Sequence, residues 1–319
     1  MDDQFLHDLR REPAPEFARR LRVSLQQRDL AEDSRAGAPR AVRWAALAAS
    51  VVIVSVAFTF PSVRAGAQAF LDLFRVVSIT GLAFDAARLD ELEASGLDLP
   101  RMLGGQVEVL AEPGPTISFA TPEDAAAAAG IPVRSPAWIP VGWERSSIEV
   151  IGEHAMRVTA STQSLEQLLD HLAIDDVSLP LGLDGETATV RVPPVVTTTY
   201  RNGDQVFRLT QSRSPEVEFP AGVDLAALAE IGLRLLGLER DEAYRFAQSI
   251  DWRTTLIVPV PAAAAAFREV DVAGGNGLLI ESRQPRGSHL LLWAADERVF
   301  ALGGSLRPAT MLEMAQTVQ

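Results

Sequence analysis

The sequence predicts an α+β fold: an extracytoplasmic antiparallel-sheet domain with interspersed helices, preceded by one transmembrane helix and a short helical cytoplasmic tail. Three observations carry that assignment. The stretch Trp44 to Phe60, WAALAASVVIVSVAFTF, has no charge, no proline and no glycine, and 20 uncharged residues separate Arg43 from Arg64. After residue 121, short runs rich in Val, Thr, Tyr and Phe are divided by turn signals, Asn202-Gly203 the strongest among them, which is the pattern of antiparallel pairing. Helical periodicity interrupts these runs only at intervals, not after every strand, so a doubly wound parallel sheet is not expected.

The uncharged stretch organises the rest. At about 1.5 Å per residue, a helix of this length covers the roughly 30 Å hydrocarbon core of a bilayer. Such a helix satisfies its own backbone hydrogen bonds and can span alone, whereas a helix on a water-soluble core keeps a polar face. Arg35, Arg40 and Arg43 lie just before the span and Arg64 and Arg75 after it, while Arg19, Arg20, Arg22 and Arg28 add to the first group. Arginine excess marks the cytoplasmic side, so the N-terminus is expected inside and everything after Pro61 outside. The small residues Ala65 and Ala67 offer an A-x-A style cleavage alternative, but the 43 residues ahead of the apolar run are long for a signal peptide. An uncleaved single-pass anchor is the expectation.

The chain then divides into a cytoplasmic tail (1–40), the transmembrane helix (41–63), a juxtamembrane connector (64–120) and the α+β domain (121–319). In the tail, Phe17, Leu21 and Leu25 recur at spacings of four, so Pro15 to Gln27 reads as an amphipathic helix with Pro15 near its start. That stripe is too narrow to make a core. It is expected to dock on a partner protein or to lie on the inner leaflet. In the connector, Phe70, Leu71 and Phe74 share one helical face, suited either to the membrane interface or to the folded domain. Residues 85–116, with Asp90, Glu91 and Glu93 among glycines and prolines, read as a short helix and an irregular connection.

The domain opens with a helix that Thr121 caps, Pro122 begins and Gly130 ends. A strand through SSIEVI is expected to form a hairpin with HAMRVTAS across Gly152 and Glu153. A short helix from Ser164 to Leu172 follows, then the strands on either side of Asn202-Gly203. Residues 224–250 switch to helical period, giving two amphipathic helices with Gly237 between them. Strand character returns in TTLIVPV, FREVDV, LLIESR, HLLLWAA and RVFALGG, and a helix from Pro308 to about Val318 closes the chain.

Composition narrows the chemistry. The net charge is −13, and residues 1–43 hold nine arginines against eight acids, which leaves −14 for the remainder. That acidic remainder argues against nucleic acid or anionic lipid as its partner. Lysine and cysteine are both absent, so disulfides, thiolate metal sites and cysteine nucleophiles are excluded. His7, His154, His171 and His289 share no metal-ligand spacing, and no G-x-S-x-G or G-x-x-x-x-G-K-[ST] occurs. The AGGNG run at 273–277 lies between two expected strands, so it is a hairpin turn and not a phosphate cradle. Asp175 and Asp176 read as solvated acids. Trp138, Trp143, Trp252 and Trp293 read as core residues, with a ligand groove as the alternative. No catalytic residue, cofactor or metal site is expected, and an enzyme is not expected.

Two stretches carry a resemblance. SPAWIPVGW after an alanine-rich helix, and the closing LLWAADERVFALGGSLRPATMLEMAQTV, resemble a domain of unknown function borne by bacterial anti-sigma-factor-like single-pass membrane proteins. EFARRLRVSLQQR is similar to the cytoplasmic start of such proteins. The likeness covers residues 1–75 loosely and 121–319 better. It implies a regulator or sensor in the bacterial cell membrane, with Phe17, Leu21 and Leu25 against a cytoplasmic sigma factor and an unknown ligand or protein outside. Zinc-type anti-sigma domains carry a histidine and paired cysteines in this segment. Here only His7 is present and no cysteine, so the implied binding is metal-free. A reading from a different class also stands: an extracytoplasmic carrier that encloses a lipid or other apolar ligand, with the anchor incidental.

Overall fold

The computed structural model describes residues 76–85, 106–219, 224–273, 275–284 and 287–319. The expected span, the tail helix with Phe17, Leu21 and Leu25, and the connector residues Phe70, Leu71 and Phe74 lie outside them. Among the described residues no helix is long and apolar enough to cross a membrane. They fold as a sheet-rich α+β structure with five helices, and all fall in one compact unit.

The largest element is an eight-stranded antiparallel sheet. Its strands are β3 (Ile117–Phe119), β4 (Glu144–Ile151), β7 (Val195–Asn202), β8 (Gln205–Arg213), β11 (Ala265–Val272), β12 (Gly275–Ser282), β13 (His289–Ala295) and β14 (Arg298–Gly304). They are ordered β11-β12-β13-β14-β8-β7-β4-β3. Period-two alternation aims Phe207 and Leu209 of β8, Leu291 and Trp293 of β13, and Phe300 and Leu302 of β14 at one face. The closing helix α5 (Pro308–Ala315) buries Met311, Met314 and Ala315 against them. Helix α1 (Pro122–Ala129) covers the same face further along, packing Ala125 and Ala129 on Ile148, Val150 and Val196.

A second antiparallel sheet takes the order β2 (Gln106–Ala111), β5 (His154–Thr159), β6 (Thr187–Val192) and β9 (Glu216–Glu218). Val158, Val190 and Val217 are buried on its inner face. Its outer face carries cross-strand ion pairs, Arg157 with Glu108 at 2.7 Å and Arg191 with Glu153 at 2.8 Å. This is the apolar-in, charged-out division of a half-solvated antiparallel sheet.

Between the layers runs a two-stranded parallel ribbon, β1 (Ser78–Phe84) beside β10 (Thr255–Pro261). Ile79, Val258 and Val260 face the sheets, while Leu82 and Ile257 face helices α3 (Leu225–Leu235) and α4 (Arg240–Ser249). Burial on both sides explains why TLIVPV is an apolar run and not an alternating one. Among the described strands β10 pairs only with β1, which leaves an edge where Pro259 and Pro261 lose no ladder bond. Helix α2 (Thr162–His171) packs with α3 and the 174–183 loop in a satellite cluster.

Three expectations need correction. The stretch 64–120, expected as a connector, contributes β1, β2 and β3 to the fold, and Val76, Ile79, Leu82 and Phe84 are core residues. Sequence around β1 lacks alternation because both its faces are buried, so it carries no strand signature. The hairpin expected between SSIEVI and HAMRVTAS is also absent. β4 pairs with β3 and β7, whereas β5 pairs with β2 and β6. Gly152 is the crossing point: its amide donates to the Pro113 carbonyl at 3.2 Å, and a Cβ there would lie 2.6 Å from that oxygen. Finally, the β7–β8 hairpin exists, but its loop is Gly203-Asp204, one residue later than Asn202-Gly203, because Asn202 pairs with Gln205.

Other local expectations stand. Thr121 Oγ1 accepts from the Asp124 amide, and Gly130 ends α1 in the left-handed region. α3 and α4 flank Gly237, and Asp251-Trp252 turns the chain from α4 into β10, with the Trp252 indole donating to the Ala247 carbonyl at 2.7 Å. The turn between β11 and β12 falls at the start of AGGNG, with Gly275, Asn276 and Gly277 already paired in β12.

Candidate functional site

The described residues place one dense cationic group on the face shared by α1 and α5. Its frame is the β8–β14 ladder, in which Arg213 lies directly opposite Arg298 and Gln211 opposite Phe300. Arg213 and Arg298 therefore share a face with Gln211 and Phe300, two residues along each strand. The loop leaving α1 runs over this end of the ladder. Arg213 Nη2 donates to the Gly130 carbonyl and Arg298 Nη1 to the Pro132 carbonyl, both at 2.7 Å. The next alternate residue is Arg134.

Arg134 is held from several directions. Gln211, only 1% exposed, accepts from the Arg134 amide at 2.9 Å and donates to its carbonyl at 2.8 Å. The buried amide thus stands in for a neighbouring strand, bonding the backbone through both its oxygen and its nitrogen. Just beyond, Ser135 exchanges backbone hydrogen bonds with Gln319, and the Ala137 amide donates to the Thr317 carbonyl. Tyr200, stacked on Phe207 with centroids 4.6 Å apart, supports the loop from below. Burial pushes its phenol up, against the opposing effect of a hydrogen bond with Ser135. The Arg134 guanidinium lies 5.9 Å from the centroid of Phe300, whose ring stacks on Trp293 at 5.0 Å.

One acid answers Arg134. Asp296 Oδ2 accepts from its Nη2 at 2.7 Å, and the Asp296 side chain is 69% exposed. Asp296 and Glu297 form the two-residue loop between β13 and β14, and both have positive φ, 49° and 64°. Asp is accepted at the first position of such a loop; the left-handed region is costly only for Glu297 at the second. Burial, then the charges of Arg134 and Arg213, push the Arg298 guanidinium below its ordinary value, with Asp296 opposing. Positive charge is crowded here in a chain whose net charge is −13.

The residues singled out by sequence fall elsewhere. Trp143, Trp252 and Trp293 are core residues, but Trp138 is 44% exposed, so the core expectation fails there. The loop around it follows the bridge to Val318 and leaves that indole at the surface. Asp176 is not simply solvated: it accepts from Arg234 Nη2 at 2.8 Å, with Arg240 at 3.8 Å. Among the described residues no group of three or more His, Asp or Glu is placed to hold a metal ion. Arg134, Gln211, Arg213, Asp296 and Arg298 were not marked by any motif, because their neighbourhood depends on the β8–β14 pairing.

The fold and site define a sheet-rich α+β protein with a preorganised arginine corner. Compared with protein-family models, curated proteins and solved structures, the chain matches none of them.

Proposed function

We propose that this protein is a membrane-anchored regulator or sensor of the anti-sigma-factor-like kind, with its α+β domain outside the bacterial cell membrane and its N-terminal tail in the cytoplasm. The observation that carries the reading is the uncharged interval between Arg43 and Arg64, long enough to cross a bilayer. The first described core residue, Val76, comes after it, which suits a folded domain on the far side of a span. The arginine corner supplies that domain with a surface able to receive a ligand.

On the inner side, the Pro15 to Gln27 helix is the partner-binding element. Phe17, Leu21 and Leu25 form its apolar stripe, and a sigma factor is the partner the resemblance points to. A helix this short gains its order from a groove on another protein.

Reporter fusions at residue 30 and at residue 319 of the full chain test the topology. Activity of the first only in the cytoplasm and of the second only outside is expected; the reverse pattern or a cleaved soluble product overturns it. Leu21→Asp in the full chain should abolish co-purification of a co-expressed sigma factor. Undiminished co-purification would remove the stripe from the interface.

A further inference from the structure

We propose that the corner formed by Arg134, Arg213 and Arg298 is a binding site for a phosphate-type oxyanion, with the Asp296 carboxylate occupying the position of that anion when no ligand is present. The inference names a ligand class for the outer domain, and its geometry holds whether or not the topology reading does.

Like charges directly opposite on antiparallel strands are destabilising, yet Arg213 and Arg298 occupy such a pair. A third guanidinium, that of Arg134, is brought beside them by the Gln211 clamp and by Phe300. Carbonyls of Gly130 and Pro132 engage one N–H on each of two arginines. A guanidinium offers five N–H donors, so these bonds fix direction without exhausting donor capacity. They orient the forks as a built site does, by locking side chains before a ligand arrives.

The anion in place is poorly matched to this frame. Asp296 brings a single charge, is mostly solvated and pairs directly with Arg134. Its backbone is in the left-handed region, as is that of Glu297. A dianionic tetrahedral group satisfies several guanidinium forks at once, the geometry for which arginine is suited.

The rival account is that the arginines only staple the 130–134 loop to the sheet. Calorimetric titration of the purified full chain with inorganic phosphate, at ionic strength held constant with chloride, separates the two. Saturable binding is expected, with a dissociation constant of about 1 mM or tighter. Arg298→Gln and Arg213→Gln should each weaken it about tenfold or more. Asp296→Asn should tighten it, since the competing carboxylate is gone while asparagine tolerates the left-handed backbone. A stapling role alone would make Asp296→Asn neutral or destabilising and would produce no gain in affinity.

Glycerol phosphate provides the second arm. Binding tighter than that of free phosphate identifies an esterified phosphate as the source, and binding of free phosphate alone identifies the ion itself. Circular dichroism of each variant checks folding, and Arg213→Gln, at an exposed position, is the variant that decides if Arg298→Gln does not fold. Absence of phosphate heat beyond the chloride control, or weaker binding in a folded Asp296→Asn variant, overturns the proposal. Neither result bears on the reporter fusions, so topology and anion binding fail separately.

Discussion

Removing β1 is expected to abolish folding of everything downstream. Val76, Ile79, Leu82 and Phe84 are all at or below 5% exposure, and burying side chains of this size contributes about 1.5–3 kcal/mol each. Together that is about 6–12 kcal/mol, comparable to the entire net stability of a typical domain, about 5–15 kcal/mol. The loss extends beyond those side chains. β10 would lose its one strand partner among the described residues, Ser214 Oγ would lose the Val76 amide that donates to it at 2.7 Å, and Leu278 and Val258 would be uncovered. Thermal and urea unfolding, followed by far-ultraviolet circular dichroism, should show one cooperative transition for the fragment 76–319 and none for 121–319. A cooperative transition of 121–319 with the same urea midpoint as 76–319 would refute the placement of β1 in the core.

Two smaller perturbations test packing and charge. Trp293→Ala should cost about 3–5 kcal/mol, because the indole is 1% exposed and stacks on Phe300. Trp138→Ala should stay within about 0.5 kcal/mol as a surface change, and similar urea midpoints for both variants would contradict these burials. For Asp176, the hydrogen bond and charge of Arg234 hold the carboxyl below its usual range, against a desolvation effect that raises it. A lowered native value means that the pair stabilises above the unfolded carboxylate value of about 3.9. That contribution is lost as pH falls through the lowered native value. Asp176→Asn should therefore flatten the acid limb of the stability profile below about pH 4, and an unchanged limb would assign the acid sensitivity to other groups.

Local chemistry was the legible part of the fold. Thr121, Pro122 and Gly130 determine α1 within their own turn of chain, and a cap or a left-handed residue needs nothing distant to be recognised. β8 was equally plain, since Phe207 and Leu209 alternate with Arg208 and Thr210 as in a half-buried strand. β1 lacked that alternation because one side meets helices and the other meets sheets. The parallel partner it requires, β10, lies on the far side of most of the domain. The SSIEVI and HAMRVTAS strands failed differently. Their spacing suits a hairpin, but the approach of the Pro113 carbonyl to Gly152 belongs to the β2–β3 connection, which local sequence does not contain.

The site was hidden for the same reason carried one step further. Arg213 sits at the end of one strand and Arg298 at the start of another, and nothing between them signals that β14 will pair with β8 and not merely with β13. Each arginine alone reads as a solvated surface charge. Only the antiparallel register sets the two opposite each other, and only the trailing loop of α1 adds Arg134. Net charge worked against recognition as well. A balance of −13 over the chain describes an average, and it weighed against anionic partners although the charge on this one face has the opposite sign. A local field follows the spacing of a few groups within a screening length of about 10 Å, not the total carried by the chain. An acidic protein can therefore present an anion site wherever its register gathers arginines faster than acids, and the end of the β8–β14 ladder is where this chain does so.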